Sequence, residues 1–178
     1  MVICIYGGGV IGYCLASHFE HFNIQYKIFV KDESNDGYGL TVQEADNVLH
    51  FLGLKPSLEQ INYLNRYIKI DKNENIIYCE THSKGNYIIP RSVLMELFNS
   101  KINKENVIHL NKTDKIENII ESNNMIKFNI LSDSYEFDYL VGCDGIHSTI
   151  RKSIVEEDIL IDTYHNISFF EFKDDSKY

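Results

Sequence analysis

Residues 2–6 (Val-Ile-Cys-Ile-Tyr) form an unbroken apolar run. A strand with one wet face alternates, so an unbroken run predicts a strand covered on both faces. Three glycines, Gly7 to Gly9, end it. Beyond them Val10, Ile11, Cys14, Leu15, His18, Phe19 and Phe22 recur at helical spacing. That spacing predicts a helix over 10–22 with these residues on one inner side. A second strand is read at 24–30 (Ile-Gln-Tyr-Lys-Ile-Phe-Val). Strand, helix and strand in such close succession predict two parallel strands joined by a right-handed crossover.

Further along, 31–37 has loop composition. A helix is expected from about Val42 to Phe51, stopped by Gly53 as its C-cap. Strands are expected at 66–71 and 75–80 around a Lys72-Asn73-Glu74 turn. Pro90 opens a short helix with Val93, Leu94, Leu97 and Phe98 facing inward. Residues 106–110 read as another buried strand. The segments 113–121, 125–131 and 135–142, separated by Asn, Ser and Asp turns, read as an antiparallel meander whose last strand runs back into the core near Cys143. A helix over 146–155 and a strand over 167–172 complete the series. The expected fold class is α/β, with a parallel sheet built from 2–6, 25–30, 106–110 and the strand ending near Cys143.

Composition narrows the picture little: 44% hydrophobic and 24% charged residues over 178 positions are globular values. Charge narrows it more. Seventeen basic against 26 acidic residues give −9, a surface that repels phosphate backbones and anionic lipids, so no nucleic-acid partner is expected. No apolar run approaches the roughly 18 residues of a membrane span. The N-terminal run breaks at glycines too early for a secretion signal, so a cytoplasmic protein is expected. Cys4, Cys14, Cys79 and Cys143 lack CxxC spacing and read as reduced core residues rather than disulfides or metal ligands.

Two motifs carry candidate chemistry. The first, Gly7-x-Gly9-x-x-Gly12, lies between a buried strand and a helix. In that setting the first glycine permits a tight turn, the second lets backbone approach a pyrophosphate, and the third lets helix and strand pack closely. The helix start, including Val10 and Ile11, offers amide groups and a positive dipole end to phosphates. Such sites carry an acidic residue about 20 positions on that binds ribose hydroxyls, and Asp32 stands at that distance. The second motif, Gly142-Cys143-Asp144-Gly145-Ile146-His147-Ser148-x-x-Arg151, places a carboxylate and backbone amides where a strand meets a helix.

Four stretches in order now resemble a known family. VICIYGGGVIG, GYGLTVQEADNVLHFLGL, IIPRSVLMELF and VGCDGIHSTIR are similar to blocks in the N-terminal, FAD-binding part of the single-component flavin-dependent aromatic monooxygenases, the relatives of para-hydroxybenzoate hydroxylase. The resemblance implies a Rossmann-like FAD/NAD(P)-binding domain over 1–160 and the start of a substrate domain over 161–178. It implies that Gly7, Gly9 and Gly12 hold the FAD pyrophosphate, that Arg91 reaches the ribityl or phosphate region, and that Asp144 and Gly145 line the pyrophosphate crevice. Ser148 and Arg151 would cap and anchor the following helix. FAD is the implied cofactor and NAD(P)H the implied reductant of a hydroxylation whose small-molecule substrate is unknown.

Two departures accompany the resemblance. The family's acidic residue at the end of the second strand falls on Val30, and Asp32 serves only if that strand end shifts by two. No glycine follows Gly145, so the family's third, Gly-Asp fingerprint is missing and the pattern reads as C-terminally truncated. The chain is therefore expected not to hydroxylate alone, leaving room for a homo-oligomer or a completing partner chain. A non-enzymatic remnant or regulatory domain is the alternative. A simple NAD(P)-dependent dehydrogenase fits less well, because the meander before VGCDG belongs to the FAD fold.

Overall fold

The computed structural model describes residues 1–31, 39–42, 45–63, 66–73, 75–81 and 87–155. In chain order its elements are β1 (Ile3–Tyr6), α1 (Val10–His21), β2 (Tyr26–Lys31), β3 (Gly39–Val42), α2 (Ala45–Phe51), β4 (Asn62–Tyr63), β5 (Arg66–Ile70), β6 (Ile76–Thr81), β7 (Tyr87–Pro90), α3 (Arg91–Asn99), β8 (Val107–Leu110), β9 (Ile116–Ser122), β10 (Met125–Ile130), β11 (Asp133–Phe137), β12 (Tyr139–Gly142) and α4 (Thr149–Ile154). The expected parallel sheet is present, in the order β12-β1-β2-β8. Tyr6 pairs with Gly142 on one side and Phe29 on the other, and Lys31 pairs with Leu110.

The apolar run of β1 is unbroken because both faces are covered. Cys4 and Tyr6 join Phe29 in a cluster with Phe128, Ile130 and Phe137 of the meander. Ile5 joins Tyr26, Ile28 and Val30 in a cluster with Ala16 of α1. Phe29 is the centre of the first cluster: Phe128, Tyr135 and Phe137 all meet its ring edge-on, with centroids 5.0–6.1 Å away. A third cluster gathers Leu49, Leu52, Tyr87, Ile89, Leu94 and Phe98, with Val10, Tyr13 and Cys14 of α1 packed against it. Helix α1 is thus held between the sheet and a layer made of α2, β7 and α3.

The meander forms as expected, in the order β11-β10-β9. Asn123 and Asn124 both have positive φ and join Ser122 to Met125, the two-residue turn whose twist suits a hairpin. The expected third segment divides at Asp138. Its carboxylate accepts the amide of Val2 and its own amide donates to the Val2 carbonyl, which turns the chain from the meander into β12 beside β1. Gly53 caps α2 as expected: it has φ +65°, its amide reaches the His50 carbonyl, and the Leu54 amide reaches that of Leu49. Asn23 ends α1 in the same way, with the Ile24 amide on the Phe19 carbonyl.

Several expectations are corrected. The inner side of α1 consists of Gly12, Ala16 and Ser17, whereas Ile11 and Phe22 point outward, 70% and 57% exposed. Close packing on the sheet selects small residues there and displaces the large ones to the flanks. The helix expected from Val42 starts at Ala45, because Gly39–Val42 pairs as a strand with β7. The strands β3, β4 and β7 escape the sequence reading, being two to four residues long and stabilised by pairing with one another rather than by a local pattern. β8 lies at the edge of the sheet with His109 exposed, so it is not wholly buried. The last helix begins at Thr149 rather than 146, since 145–148 form its capping turn. Cys79 is exposed rather than a core residue. The expected strand at 167–172 and the proposed second domain at 161–178 lie outside the described residues.

One polar clasp ties these layers. Glu20 Oε1 accepts from the Tyr26 hydroxyl at 2.7 Å, the Asn103 amide at 2.9 Å and Asn106 Nδ2 at 3.2 Å. Burial raises the Glu20 pKa, but these three donors outweigh it and leave the carboxyl below the usual glutamate value. A depressed folded-state pKa contributes stability above the unfolded value, and that stability is lost as pH falls through the folded value. Wild type should therefore lose its denaturation midpoint more steeply than Glu20→Gln as pH falls below about 4.3. Equal slopes in chemical denaturation would show that the clasp is not ionised. Phe29→Ala should cost about 3–5 kcal/mol in the same measurement, as for other large aromatic cavities. A loss below about 1 kcal/mol would mean that the cluster does not hold the meander to the sheet.

Candidate functional site

The two sequence motifs meet at the carboxyl ends of β1 and β12. Gly7 has φ +123°, and a Cβ there would come within 2.3 Å of the Cys143 carbonyl oxygen. The Cys143 amide donates to the Tyr6 carbonyl at 2.7 Å, and the Gly7 amide to Phe29 at 2.9 Å. The loops are therefore in backbone contact, which only glycine at position 7 permits. A Cβ on Gly12 would lie 1.9 Å from the Gly7 carbonyl oxygen, so the helix start sits directly on the loop. Around Gly9 the situation is reversed: a Cβ there meets nothing within 4 Å. The second motif glycine faces open space that a ligand's phosphates could fill.

The two helix starts beside this crevice differ. Gly9 caps α1 with no side-chain hydrogen bond, and no acidic residue occupies its first turn. Its first amides, from Val10 to Gly12, lack an intrahelical acceptor by geometry, and with the helix dipole they favour an anion. At α4 the protein supplies its own anion. Asp144 accepts from the Ser148 hydroxyl and from the amides of Thr149 and Ile150, at 2.6 and 3.3 Å. Ser148 Oγ in turn accepts the Arg151 amide at 2.9 Å. The Arg151 guanidinium folds back on the Ile146 carbonyl, so Ser148 and Arg151 anchor the helix as expected. Gly145, with φ +81°, has open space around it, and Ile146 beside it is 81% exposed.

The structure thus brings the Gly7–Gly12 loop and the start of α1, with Val10 and Ile11, beside the backbone of Cys143 and Asp144, where Gly145 follows. Arg91 opens α3, whose Phe98 carbonyl accepts the Ser17 hydroxyl of α1 at 3.0 Å. Asp32 lies outside the described residues. One residue was missed by sequence reasoning: Gly8 reads as a variable position of the motif, yet a Cβ on it would fall 1.7 Å from Val30 Cγ1. No sequence signal marks it, because the constraint comes from a side chain on another strand.

The thiols of Cys4, Cys14 and Cys143 have pKa values raised by burial, with the Asp144 charge adding to the shift at Cys143. They are protonated at neutral pH and are poor nucleophiles. Among the described residues no cluster of His, Cys, Asp or Glu could hold a metal ion, and no helix is long and apolar enough to cross a membrane. A groove of about 930 Å³ is lined by Met1, Ile126, Tyr139, Leu140, Ile150 and Ile154, between β12, the meander and α4.

No family model matches the chain. Among curated proteins it is 25% identical over 182 residues to the FAD-dependent monooxygenase anuJ of Penicillium roqueforti, covering 90% of this chain and 22% of that protein. It is 26% identical over 185 residues to a dual O-methyltransferase/FAD-dependent monooxygenase of Cercospora beticola, covering 90% and 21%. Among solved structures it superposes on a salicylate hydroxylase–substrate complex with a TM-score of 0.67 at 15% identity, covering 85% of this chain and 37% of that one. On Klebsiella pneumoniae HpxO, solved with FAD and uric acid, the TM-score is 0.66 at 15% identity, covering 86% and 41%. The chain spans about a fifth of these curated relatives and about two fifths of these solved chains.

The self-capped start of α4 gives a direct test. Asp144→Ala should remove the acceptor of two helical amides and cost about 1–2 kcal/mol, as for other lost N-caps. Hydrogen exchange at the amides of Thr149 and Ile150 should accelerate. Unchanged protection at both amides would show that Asp144 does not cap the helix.

Proposed function

With the fold of the N-terminal, FAD-binding part of the flavin-dependent aromatic monooxygenases as premise, we propose that this chain is the FAD-binding portion of an NAD(P)H-dependent flavin monooxygenase. The observation that carries the reading is the start of α1: an uncapped helix N-terminus with open space at Gly9. Its amides would take the FAD pyrophosphate, with Gly7 and Gly12 setting the close approach of loop and helix. Gly145 would leave room for the cofactor on the neighbouring loop. Asp144 would act by holding that loop and α4 in place, since its carboxylate is engaged by helix donors. Arg91 would reach toward the ribityl or phosphate region from the start of α3, as the sequence resemblance implies. Bound FAD would supply the redox chemistry, accepting electrons from NAD(P)H and delivering them to oxygen.

Hydroxylation also needs an enclosure that keeps water from the reacting centre. In this reading the described residues would supply the pyrophosphate end of such a site, and the whole relatives are several times longer than this chain. The 178 residues alone are therefore proposed to bind FAD without sustaining hydroxylation, and a second copy or a completing chain would be needed for turnover.

Titration of the purified chain with FAD, followed by flavin absorbance and fluorescence, tests the site. Gly9→Val should weaken FAD binding by about tenfold or more, roughly 1.4 kcal/mol, while leaving the far-ultraviolet circular dichroism unchanged. Equal titration of the two proteins would remove the cofactor from the glycine loop. With FAD, NADPH and a panel of phenols, the chain should reduce oxygen to hydrogen peroxide, about one molecule for each NADPH oxidised to NADP+. Stoichiometric hydroxylated product without peroxide would overturn that expectation and would mean that a second copy of the chain completes the site.

A further inference from the structure

We propose that this nucleotide site does not read the ribose hydroxyls of its ligand, because Val30 closes the position from which they would be read. The inference rests on the FAD reading above and concerns the adenosine end of that ligand. In a strand-helix-strand nucleotide site, a carboxylate at the end of the second strand accepts hydrogen bonds from the ribose hydroxyls. Here the register identifies the residue at that place. Tyr6 pairs with Phe29, and the Gly7 amide donates to the Phe29 carbonyl at 2.9 Å, so Val30 is the β2 residue level with the glycine loop.

Val30 is 2% exposed, and it packs with Ile5, Ala16 and Ile28. Its Cγ1 lies 1.7 Å from where a Gly8 Cβ would be. Loop backbone and branched side chain have closed on each other, leaving an apolar side chain rather than a carboxylate at that place. The strand is also fixed against sliding. Val30 pairs with His109 and Lys31 with Leu110 on β8, while β1 holds the other side over four residues. A slide that brought a later residue into the slot would break both ladders.

The affinity of the site then comes from phosphate contacts at α1 and from the rest of the ligand. A site that hydrogen-bonds a hydroxyl rejects the analogue lacking it strongly, whereas an apolar wall distinguishes the two weakly. The ligand class follows: an adenine nucleotide for which the 2′-hydroxyl is immaterial.

The test is displacement of FAD by ADP and by 2′-deoxy-ADP from the wild-type chain, read by flavin fluorescence. The two should compete within about threefold of each other. A wild-type preference for ADP of about tenfold or more would overturn the inference, and its loss in Asp32→Asn would locate the reader. Val30→Glu should create a preference for ADP of about tenfold, with folding checked by thermal melting. A folded Val30→Glu protein with no preference would also overturn the inference, since position 30 would not face the ribose. If Val30→Glu does not fold, the wild-type comparison decides alone. Failure of both nucleotides to displace bound FAD would overturn the site reading itself, and this inference with it.

Discussion

The contact on which the rest depends is between two pieces of backbone: the start of α1 resting on the glycine loop, where a single Cβ at Gly12 would overlap the Gly7 carbonyl oxygen at 1.9 Å. That approach sets the height of α1 above the sheet. It selects Ala16 and Ser17 for the buried side of the helix and pushes the larger side chains to its flanks. It also aims the helix amides at the crevice where β1 and β12 end. Packing and the proposed binding geometry would therefore share one cause, the residue type at position 12.

The two helix starts at this crevice divide its work. The protein fills the amides of α4 with Asp144 and Ser148, so that end is rigid and electrostatically satisfied without a ligand. It leaves α1 bare. Among groups of the same chemical kind, the one with no internal partner is the one suited to receive an external anion. The difference lies in Asp144 and Ser148, because an aspartate placed before a serine-capped turn forms its own hydrogen bonds, whereas a glycine cap has no side chain to do so.

Much of this was legible in the sequence, for identifiable reasons. The parallel strands announced themselves through continuous apolar runs, the meander through its Asn-rich turns, and the cap of α2 through Gly53. The ranking of faces on α1 was not legible. Counting large apolar residues pointed to Ile11 and Phe22, while the helix buries its smallest ones, and a hydrophobicity pattern does not report the distance of closest approach. The short strands β3, β4 and β7 were also missed, since each is stabilised by partners far along the chain. At the crevice the glycines of the motif were readable and Gly8 was not, for its constraint comes from Val30 on β2.

The clasp between Val2 and Asp138 joins positions 136 residues apart, and beside it the first strand pairs with the twelfth. During synthesis β1, α1 and β2 emerge together and can associate locally. The meander face of that pair, carrying Cys4, Tyr6 and Phe29, stays uncovered until residues 116–137 have left the ribosome. Long-range pairing of this kind is slow and leaves apolar surface open in the interval. The nascent chain therefore presents an aromatic, strand-forming surface from the emergence of β2 until the meander follows, and chaperone engagement is expected to fall on that surface rather than on the glycine loop.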